Sequence, residues 1–195
     1  MPSVIHSRVT AAICRIAALT CVAVFAGAGV ASASCPAQPV SNPFSQWGDS
    51  NDYFLVPGGT FEGTADQVGW TLSGASLTAS NEPFNVNDSG GSATSPYFCV
   101  DNTMSALRFF AQEVSGGSDL NVDALVQMPD GNTRTVALAD IADGSITSWA
   151  PTDQITHDTS ALRDGTVMVA LQFTVPASSG TWQLDDVYID PWRSG

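Results

Sequence analysis

Two adjacent carboxylates near the carboxyl end carry the strongest chemical signal in this chain. Asp185 and Asp186 lie within residues 182–191, a run that is otherwise composed like a buried β-strand and is ended by a proline. Successive side chains of a strand face opposite sides, so alternation predicts that Asp185 shares the inward face with Val187 and Ile189. Asp186 would then point outward. A carboxylate on an apolar face must be paired, hydrogen-bonded or bound to a metal, so the segment predicts a site at Asp185 and no acid/base pair.

The other end of the chain has the pattern of a secretory signal peptide, which we assign to residues 1–33. Two arginines are its only Lys or Arg residues, residues 16–30 are uncharged and mostly apolar, and Ala31-Ser32-Ala33 supplies the small residues that signal peptidase requires. An apolar run of about 15 residues is shorter than the roughly 20 that span a bilayer, so we predict cleavage and no transmembrane anchor. A lipoprotein acylated at Cys35 is the alternative. The mature protein is therefore expected to be secreted and extracellular.

Removal of that segment leaves an acidic protein without lysine. All 19 Asp and Glu residues lie after residue 33 with only four arginines, which gives a net charge of −15. Such a surface repels phosphate backbones and argues against nucleic acid and anionic membranes as partners. Cys35 and Cys99 are the two cysteines that remain, and an even pair in an oxidising compartment predicts a disulfide.

Alternation of apolar and polar residues recurs along the mature chain, whereas helical periodicity is nearly absent. It is clearest in residues 107–112, 120–127 and 167–173, and glycine-rich turns separate such runs at about ten-residue intervals. Short strands with such turns predict an all-β fold, an antiparallel β-sandwich. We expect a lead-in at residues 34–54 and the sandwich domain at residues 55–195.

Several short motifs follow one another in a recognisable order: Phe61-Glu62-Gly63 with Gly69-Trp70 at the opening, residues 93–96 and 107–110 in the middle strands, and residues 182–187 in the closing strand. In this order they resemble the motifs of galactose-binding-like jelly rolls, a group that includes carbohydrate-binding modules attached to secreted glycoside hydrolases. Together they span residues 55–191. The resemblance implies a jelly-roll β-sandwich that acts as a non-catalytic binding module.

A second resemblance covers the two ends of the mature chain. Its motifs are Asn42-Pro43-Phe44, Trp47-Gly48-Asp49, Val56-Pro57-Gly58-Gly59 and Asp190-Pro191-Trp192-Arg193. They are similar to a set of secreted proteins of high-GC Gram-positive bacteria. This resemblance implies no particular activity.

The jelly-roll resemblance also implies a structural Ca²⁺ ion. In such domains a glutamate of the first strand and an aspartate of the last commonly share the ion, and the matching positions here are Glu62 and Asp185. Calcium takes six to eight oxygen ligands, so two carboxylates from distant parts of the sequence suit it. The alternative is that backbone amides or arginines satisfy the two carboxylates separately.

The same resemblance favours carbohydrate, an extracellular or cell-wall polysaccharide, as the ligand. Sugar rings stack on exposed aromatic side chains beside polar groups, but Trp70, Trp149 and Trp182 lie at positions typical of a core. The polar faces of the central strands form the other candidate surface if those strands are neighbours. Its residues are Arg108, Phe110, Gln112, Asn121, Asp123 and Gln172. The alternative is an ordinary solvated sheet face.

No catalytic arrangement is evident in the sequence. Gly-x-Ser-x-Gly and His-Glu-x-x-His are both absent. His157 is the one histidine of the mature chain, and its loop neighbours Asp158 and Ser160 are too close in sequence to form the geometry of a catalytic triad. We therefore predict a monomeric, non-catalytic binding module. The alternatives are a structural or protein-interaction domain without a small-molecule site and, less favoured, a hydrolase.

Overall fold

The computed structural model describes residues 35–64, 68–78, 84–86, 91–128, 130–159, 165–176 and 180–191. These residues are nearly all β, with one short 3-10 turn at Ser45–Trp47. They form β1 (Val40–Ser41), β2 (Tyr53–Leu55), β3 (Thr71–Ser73), β4 (Ala75–Leu77), β5 (Phe84–Val86), β6 (Ser92–Thr94), β7 (Phe98–Asp101), β8 (Ala106–Ser115), β9 (Leu120–Gln127), β10 (Thr133–Ile141), β11 (Ala150–Pro151), β12 (Ile155–Thr156), β13 (Thr166–Thr174) and β14 (Thr181–Asp190). In the part of the chain so described, no helix is long and apolar enough to cross a bilayer.

The strands form two antiparallel sheets. Sheet A has the order β1-β2-β14-β5-β4, with β8 also paired to β14, and with β11 and β12 paired to β8. Sheet B has the order β10-β9-β13-β6-β3, and β7 pairs with the first half of β13. The predicted all-β antiparallel sandwich is confirmed.

The core lies between the two sheets, where their apolar faces meet. Leu107 and Phe109 of β8 are fully buried, as are Val122 of β9 and Phe173 of β13. The Phe109 and Phe173 rings lie 4.9 Å apart edge to face, which joins the two sheets directly. Alternation along each strand produces this core, because every second side chain of a pleated strand faces the opposite sheet.

The amino-terminal part of the described chain belongs to the sandwich. Within residues 34–54, the expected lead-in, Val40–Ser41 form β1 and residues 53–54 begin β2, and both strands belong to sheet A. The predicted disulfide between Cys35 and Cys99 is present, with Cα atoms 5.5 Å apart. It ties residue 35 to β7 in sheet B.

The closing strand β14 contains a β-bulge. Asp185 pairs with Phe110, and the next paired position is Tyr188 with Arg108, so β14 advances by three residues while β8 advances by two. Asp186 supplies the irregular backbone, with a φ of 51° in the left-handed region. One extra residue in one of two paired strands is the defining feature of a bulge.

The bulge changes which face each residue of β14 occupies. Trp182 and Leu184 point into the core before it, and Val187 and Ile189 do so after it. Asp185 therefore lies on the outer face of sheet A, across from Phe110. The predicted inward position of Asp185 is wrong, because alternation holds only along a strand that has no extra residue.

The left-handed backbone at Asp186 can be tested with two substitutions. Asp186→Val and Asp186→Gly both remove the carboxylate, but only valine has a β-branched side chain that the left-handed region disfavours. We expect the valine variant to be less stable than the glycine variant by about 1–2 kcal/mol in urea denaturation. Equal stability of the two variants would show that the bulge does not require this conformation.

Candidate functional site

Six aromatic side chains cluster on the outer face of sheet A. We call this group the outer aromatic cluster; it comprises Phe44, Trp47, Tyr53, Phe110, Trp149 and Tyr188. Phe110 lies at its centre, with its ring centroid 5.5 Å from that of Phe44, 5.1 Å from that of Trp47 and 6.3 Å from that of Trp149. The cluster is separate from the core between the sheets.

The cluster draws its members from five segments, of which β8, the 3-10 turn and the residue before β11 place Phe110, Trp47 and Trp149. On β8, Leu107, Phe109 and Ala111 face the core, so Phe110 faces outward by alternation. The 3-10 turn places Trp47 over Phe110, and it ends at Gly48, whose φ of 84° lies in the left-handed region. Trp149 precedes β11, a two-residue strand on the edge of β8.

The cluster presents indole surface to solvent. Trp47 is 46% exposed, and Trp149 and Tyr188 are half-buried, whereas Phe44 and Phe110 beneath them are buried. An exposed indole packed against buried aromatic rings offers an apolar surface on which a ligand ring can stack.

Arg108 holds the amino-terminal segment against this face. Its Nη1 donates to Asp49 Oδ2 over 2.6 Å, and its Nε donates to the Thr152 carbonyl oxygen over 2.8 Å. The guanidinium carbon lies 4.4 Å from the centroid of the Phe44 ring, a cation–π contact. Arg108 is only 8% exposed, and its guanidinium group contacts Asp49, Thr152 and the Phe44 ring inside the protein.

Asp49 is the anionic centre of this arrangement. Burial alone would raise the pKa of its carboxyl, but hydrogen bonds from the Tyr53 hydroxyl, the Asn51 amide and Arg108 together hold that pKa below its usual value. Burial and the neighbouring Asp49 carboxylate raise the pKa of the Tyr53 hydroxyl, which donates to Asp49 Oδ2 over 2.7 Å. Asp49 therefore stays charged and Tyr53 stays protonated at neutral pH.

Polar side chains lie beside the aromatic cluster. Gln112 of β8 and Gln183 of β14 occupy directly opposite positions and are both half-buried. Since Ala150 pairs with Ala111, Trp149 is level with Gln112 in the neighbouring row. The outer face of sheet A thus combines indole surfaces with amide groups that both donate and accept hydrogen bonds.

The other half of the predicted binding patch lies on sheet B. Asp123 and Gln172 are directly opposite each other on β9 and β13, Asn121 is opposite Thr174, and Gln172 Nε2 donates to Thr94 Oγ1 over 3.0 Å. Arg108, Phe110 and Gln112 belong to sheet A, whose outer face points the other way. A single patch of these six residues was therefore a wrong expectation, because β8 pairs with β14 and not with β9.

Backbone hydrogen bonds of the described residues place the segment that precedes Glu62 beside the closing strand at Asp185. Val187 pairs with Val56 and Gly59, so the loop that leads to Glu62 lies beside the bulge. Glu62 is exposed, whereas Asp185 is 6% exposed and its Oδ1 accepts the Asp186 amide hydrogen over 2.7 Å. Among the described residues no three Asp, Glu, His or Cys side chains group as a metal site. Shared calcium between Glu62 and Asp185 stays a prediction.

His157 has a structural contact of its own. Its Nε2 lies 3.0 Å from the Met104 carbonyl oxygen, so this nitrogen carries the proton, and burial lowers the pKa of the ring. Ser160, the third residue of the triad considered from the sequence, lies outside the described residues. The hydrogen bond to Met104 joins the His157 loop to the segment just before β8.

A cavity of about 580 Å³ opens between the sheets near His157. Its walls include Val126, Val136, Leu138 and Val167, which are half-buried members of the core. This lining is largely apolar but also includes Arg134, His157 and Asp158, and the described residues along it include no tryptophan on which a sugar ring could stack. The outer aromatic cluster is the better candidate site for a polar ring-shaped ligand.

Comparisons with known proteins agree with this fold. No protein-family model matches the chain, and no curated protein matches it in sequence. Among solved structures, the CBM22-1–GH10 modules of xylanase 10B from Clostridium thermocellum, complexed with xylohexaose, match with a TM-score of 0.50 and 18% identity over 70% of this chain and 28% of that chain.

Two smaller solved structures are also similar. The CBM22-1 xylan-binding domain of Paenibacillus barcinonensis Xyn10C matches with a TM-score of 0.45 and 14% identity, over 72% of this chain and 94% of its own. A family 16 carbohydrate-binding module matches with a TM-score of 0.48 and 18% identity, over 69% of this chain and 98% of its own. The chain has the antiparallel β-sandwich fold found in carbohydrate-binding modules.

Proposed function

We propose that this protein is a secreted, monomeric, non-catalytic module that binds a polysaccharide on the outer face of sheet A. The observation that supports this most is the 46% exposed Trp47, which packs edge to face against Phe110 next to the half-buried Trp149. The C–H faces of a pyranose ring pack on indole, and amides such as Gln112 bond its hydroxyl groups. Similar solved structures that bind xylan make xylan the first glycan to test.

The charge of the protein favours a neutral glycan. The full chain carries a formal net charge of −13 at pH 7. Arg108, which contacts the Phe44 ring of the cluster, is already paired with Asp49, and Asp185 adds a carboxyl group to the same face. Long-range repulsion would weaken the approach of an anionic polysaccharide. Xylans, glucans or mannans without acidic substituents fit better than uronic-acid polymers.

Substitution of Trp47 tests the proposal. Trp47→Ala is expected to weaken binding to the glycan by about fivefold or more, because a central exposed aromatic usually contributes above about 1 kcal/mol to an interface. Affinity electrophoresis against a panel of soluble xylan, β-glucan, mannan and galactan measures this directly. The matched control is Tyr97→Ala, since Tyr97 is a similarly exposed aromatic, 42%, placed just before β7 of sheet B.

Two outcomes would contradict the proposal. Wild-type protein that is not retarded by any glycan in the panel would favour the protein-interaction alternative. Equal loss of binding in Trp47→Ala and Tyr97→Ala, or loss in Tyr97→Ala alone, would place the glycan elsewhere than on the outer aromatic cluster.

A further inference from the structure

A buried glutamate at the end of β8 lacks a partner for one oxygen. Glu113 is 7% exposed, and its Oε2 accepts the Gly144 amide hydrogen over 2.5 Å. Its Oε1 is buried and has no hydrogen-bond partner among the described residues. A buried acceptor without a donor is costly, so this oxygen marks a position where a proton or a cation is needed.

The carboxylate of Asp143 faces the same space. Asp143 Oδ1 accepts the Gly117 amide hydrogen over 2.8 Å. A β-carbon built on Gly116 would lie 3.1 Å from Glu113 Oε1 and 3.0 Å from Asp143 Oδ1, so the two oxygens border one small gap. Asp119 lies next to them, with its Oδ1 accepting the Asp143 amide hydrogen over 2.8 Å. Glycine at position 116 keeps this gap open.

Neither carboxylate can donate a hydrogen bond to the other when both are ionised. Oxygens of both carboxylates border the gap beside Gly116, and solvent is largely excluded from it on the Glu113 side. When both groups are ionised, this gap carries excess negative charge. A hard cation would relieve that charge. Its ligands would be oxygens of carboxylates that backbone amides already hold in position.

We propose that Glu113 and Asp143 bind a divalent cation of the Ca²⁺ type. Carboxylate oxygens are the ligands that such ions prefer, and water and loop carbonyls would complete the six to eight positions. With two carboxylates instead of a larger acidic cage, the dissociation constant is expected in the range of about 10⁻⁴–10⁻³ M, as in extracellular calcium modules. This site is separate from the Glu62 and Asp185 pair and does not depend on glycan binding.

The site would join two loops of the sandwich. One is the β8–β9 turn, which contains Gly117, and the other is the β10–β11 connection, which contains Asp143 and Gly144. The Glu113 amide also donates to the Ile146 carbonyl oxygen over 2.7 Å, three residues before Trp149. A bound cation would therefore stabilise the segment that carries Trp149 to the outer aromatic cluster.

Calcium titration of the full mature chain tests this inference. Protein freed of metal with a chelator at pH 7 is expected to unfold several degrees higher, on the order of 3–10 °C, when 10 mM CaCl₂ is added, because an ion bound only by the native state raises the midpoint. Glu113→Gln and the more exposed Asp143→Asn should each lose most of this shift. Asp185→Asn should keep it and is the matched control.

Several results would overturn the inference. In one such result, the thermal unfolding midpoint of the wild type does not change with calcium but rises between pH 7 and pH 5, and it rises less in Asp143→Asn. This result would show that the two carboxylates share a proton instead of binding a cation. A calcium shift that is lost in Asp185→Asn and kept in Asp143→Asn would assign the ion to the other carboxylates.

Discussion

Arg108→Ala is expected to lower the free energy of unfolding by about 3–5 kcal/mol, the cost of removing one member of a buried ion pair. The side chains of Arg108 and Asp49 are only 9% and 16% exposed, so Asp49 would lose its counter-ion in a poorly solvated position. The substitution also removes the contact with the Phe44 ring and the bond to the Thr152 carbonyl. Urea denaturation followed by fluorescence measures the change.

Two further variants separate charge from geometry at this position. Arg108→Lys keeps the charge, but lysine has no planar group that can bond Asp49 and Thr152 at once. We therefore expect its free energy of unfolding to lie between that of the wild type and that of Arg108→Ala. Arg134→Ala is the matched control, since Arg134 is exposed on β10 and should change stability by less than about 0.5 kcal/mol. A loss below about 1 kcal/mol for Arg108→Ala would show that Arg108 does not hold the amino-terminal segment.

Trp182→Ala is expected to destabilise the sandwich by about 3–5 kcal/mol, the usual cost of deleting a large buried aromatic. Trp182 is fully buried between the sheets, and its indole nitrogen donates to the Ser118 carbonyl oxygen over 2.9 Å. The side chain therefore fills the core and fastens the start of β14 to the β8–β9 turn. The same denaturation experiment measures the loss.

Trp47→Ala is the control for Trp182→Ala, because it removes the same side chain from an exposed position. It should cost about 1 kcal/mol or less, while Trp182→Phe, which keeps most of the ring, should fall between the two. Similar losses for Trp47→Ala and Trp182→Ala would mean that the outer aromatic cluster carries as much stability as the core, contrary to its open position.

Much of the fold follows from local pattern. Alternation on β8 predicts that Leu107, Phe109 and Ala111 face the core, and they do. The same pattern on β9 and β13 is also confirmed. These positions are predictable because a pleated strand against one apolar layer has a strict period of two.

Alternation could not predict the bulge at Asp186. An aspartate tolerates the left-handed backbone better than most residues, but many aspartates never adopt it, so the sequence contains no firm signal for the extra residue. A bulge shifts the alternation of every residue that follows it relative to those before it. The wrong prediction for the face of Asp185 therefore results from the backbone conformation at Asp186 and not from the residue types of the strand.

The outer aromatic cluster could be predicted only in part. Phe110 was among the candidate ligand residues, but its neighbours come from distant segments that alternation does not relate. The position of Trp149 in the sequence is typical of a core residue, but Trp149 is half-buried on the outer face, because it directly precedes β11, which pairs only at the edge of β8. Phe44 and Trp47, three residues apart before Gly48, give the one local signal that both could share a side of a tight turn.

The indole signals of the tryptophans give the most direct test of binding at the outer aromatic cluster. In a ¹H–¹⁵N spectrum titrated with a soluble oligosaccharide, beginning with xylohexaose, the signals of Trp47 and Trp149 are expected to shift. Those of Trp70 and Trp182 should stay fixed, because their indole hydrogens are bonded to the Pro57 and Ser118 carbonyls inside the fold. Shifts confined to the sheet B residues around Gln172, or no shifts with a glycan that binds, would contradict the assignment.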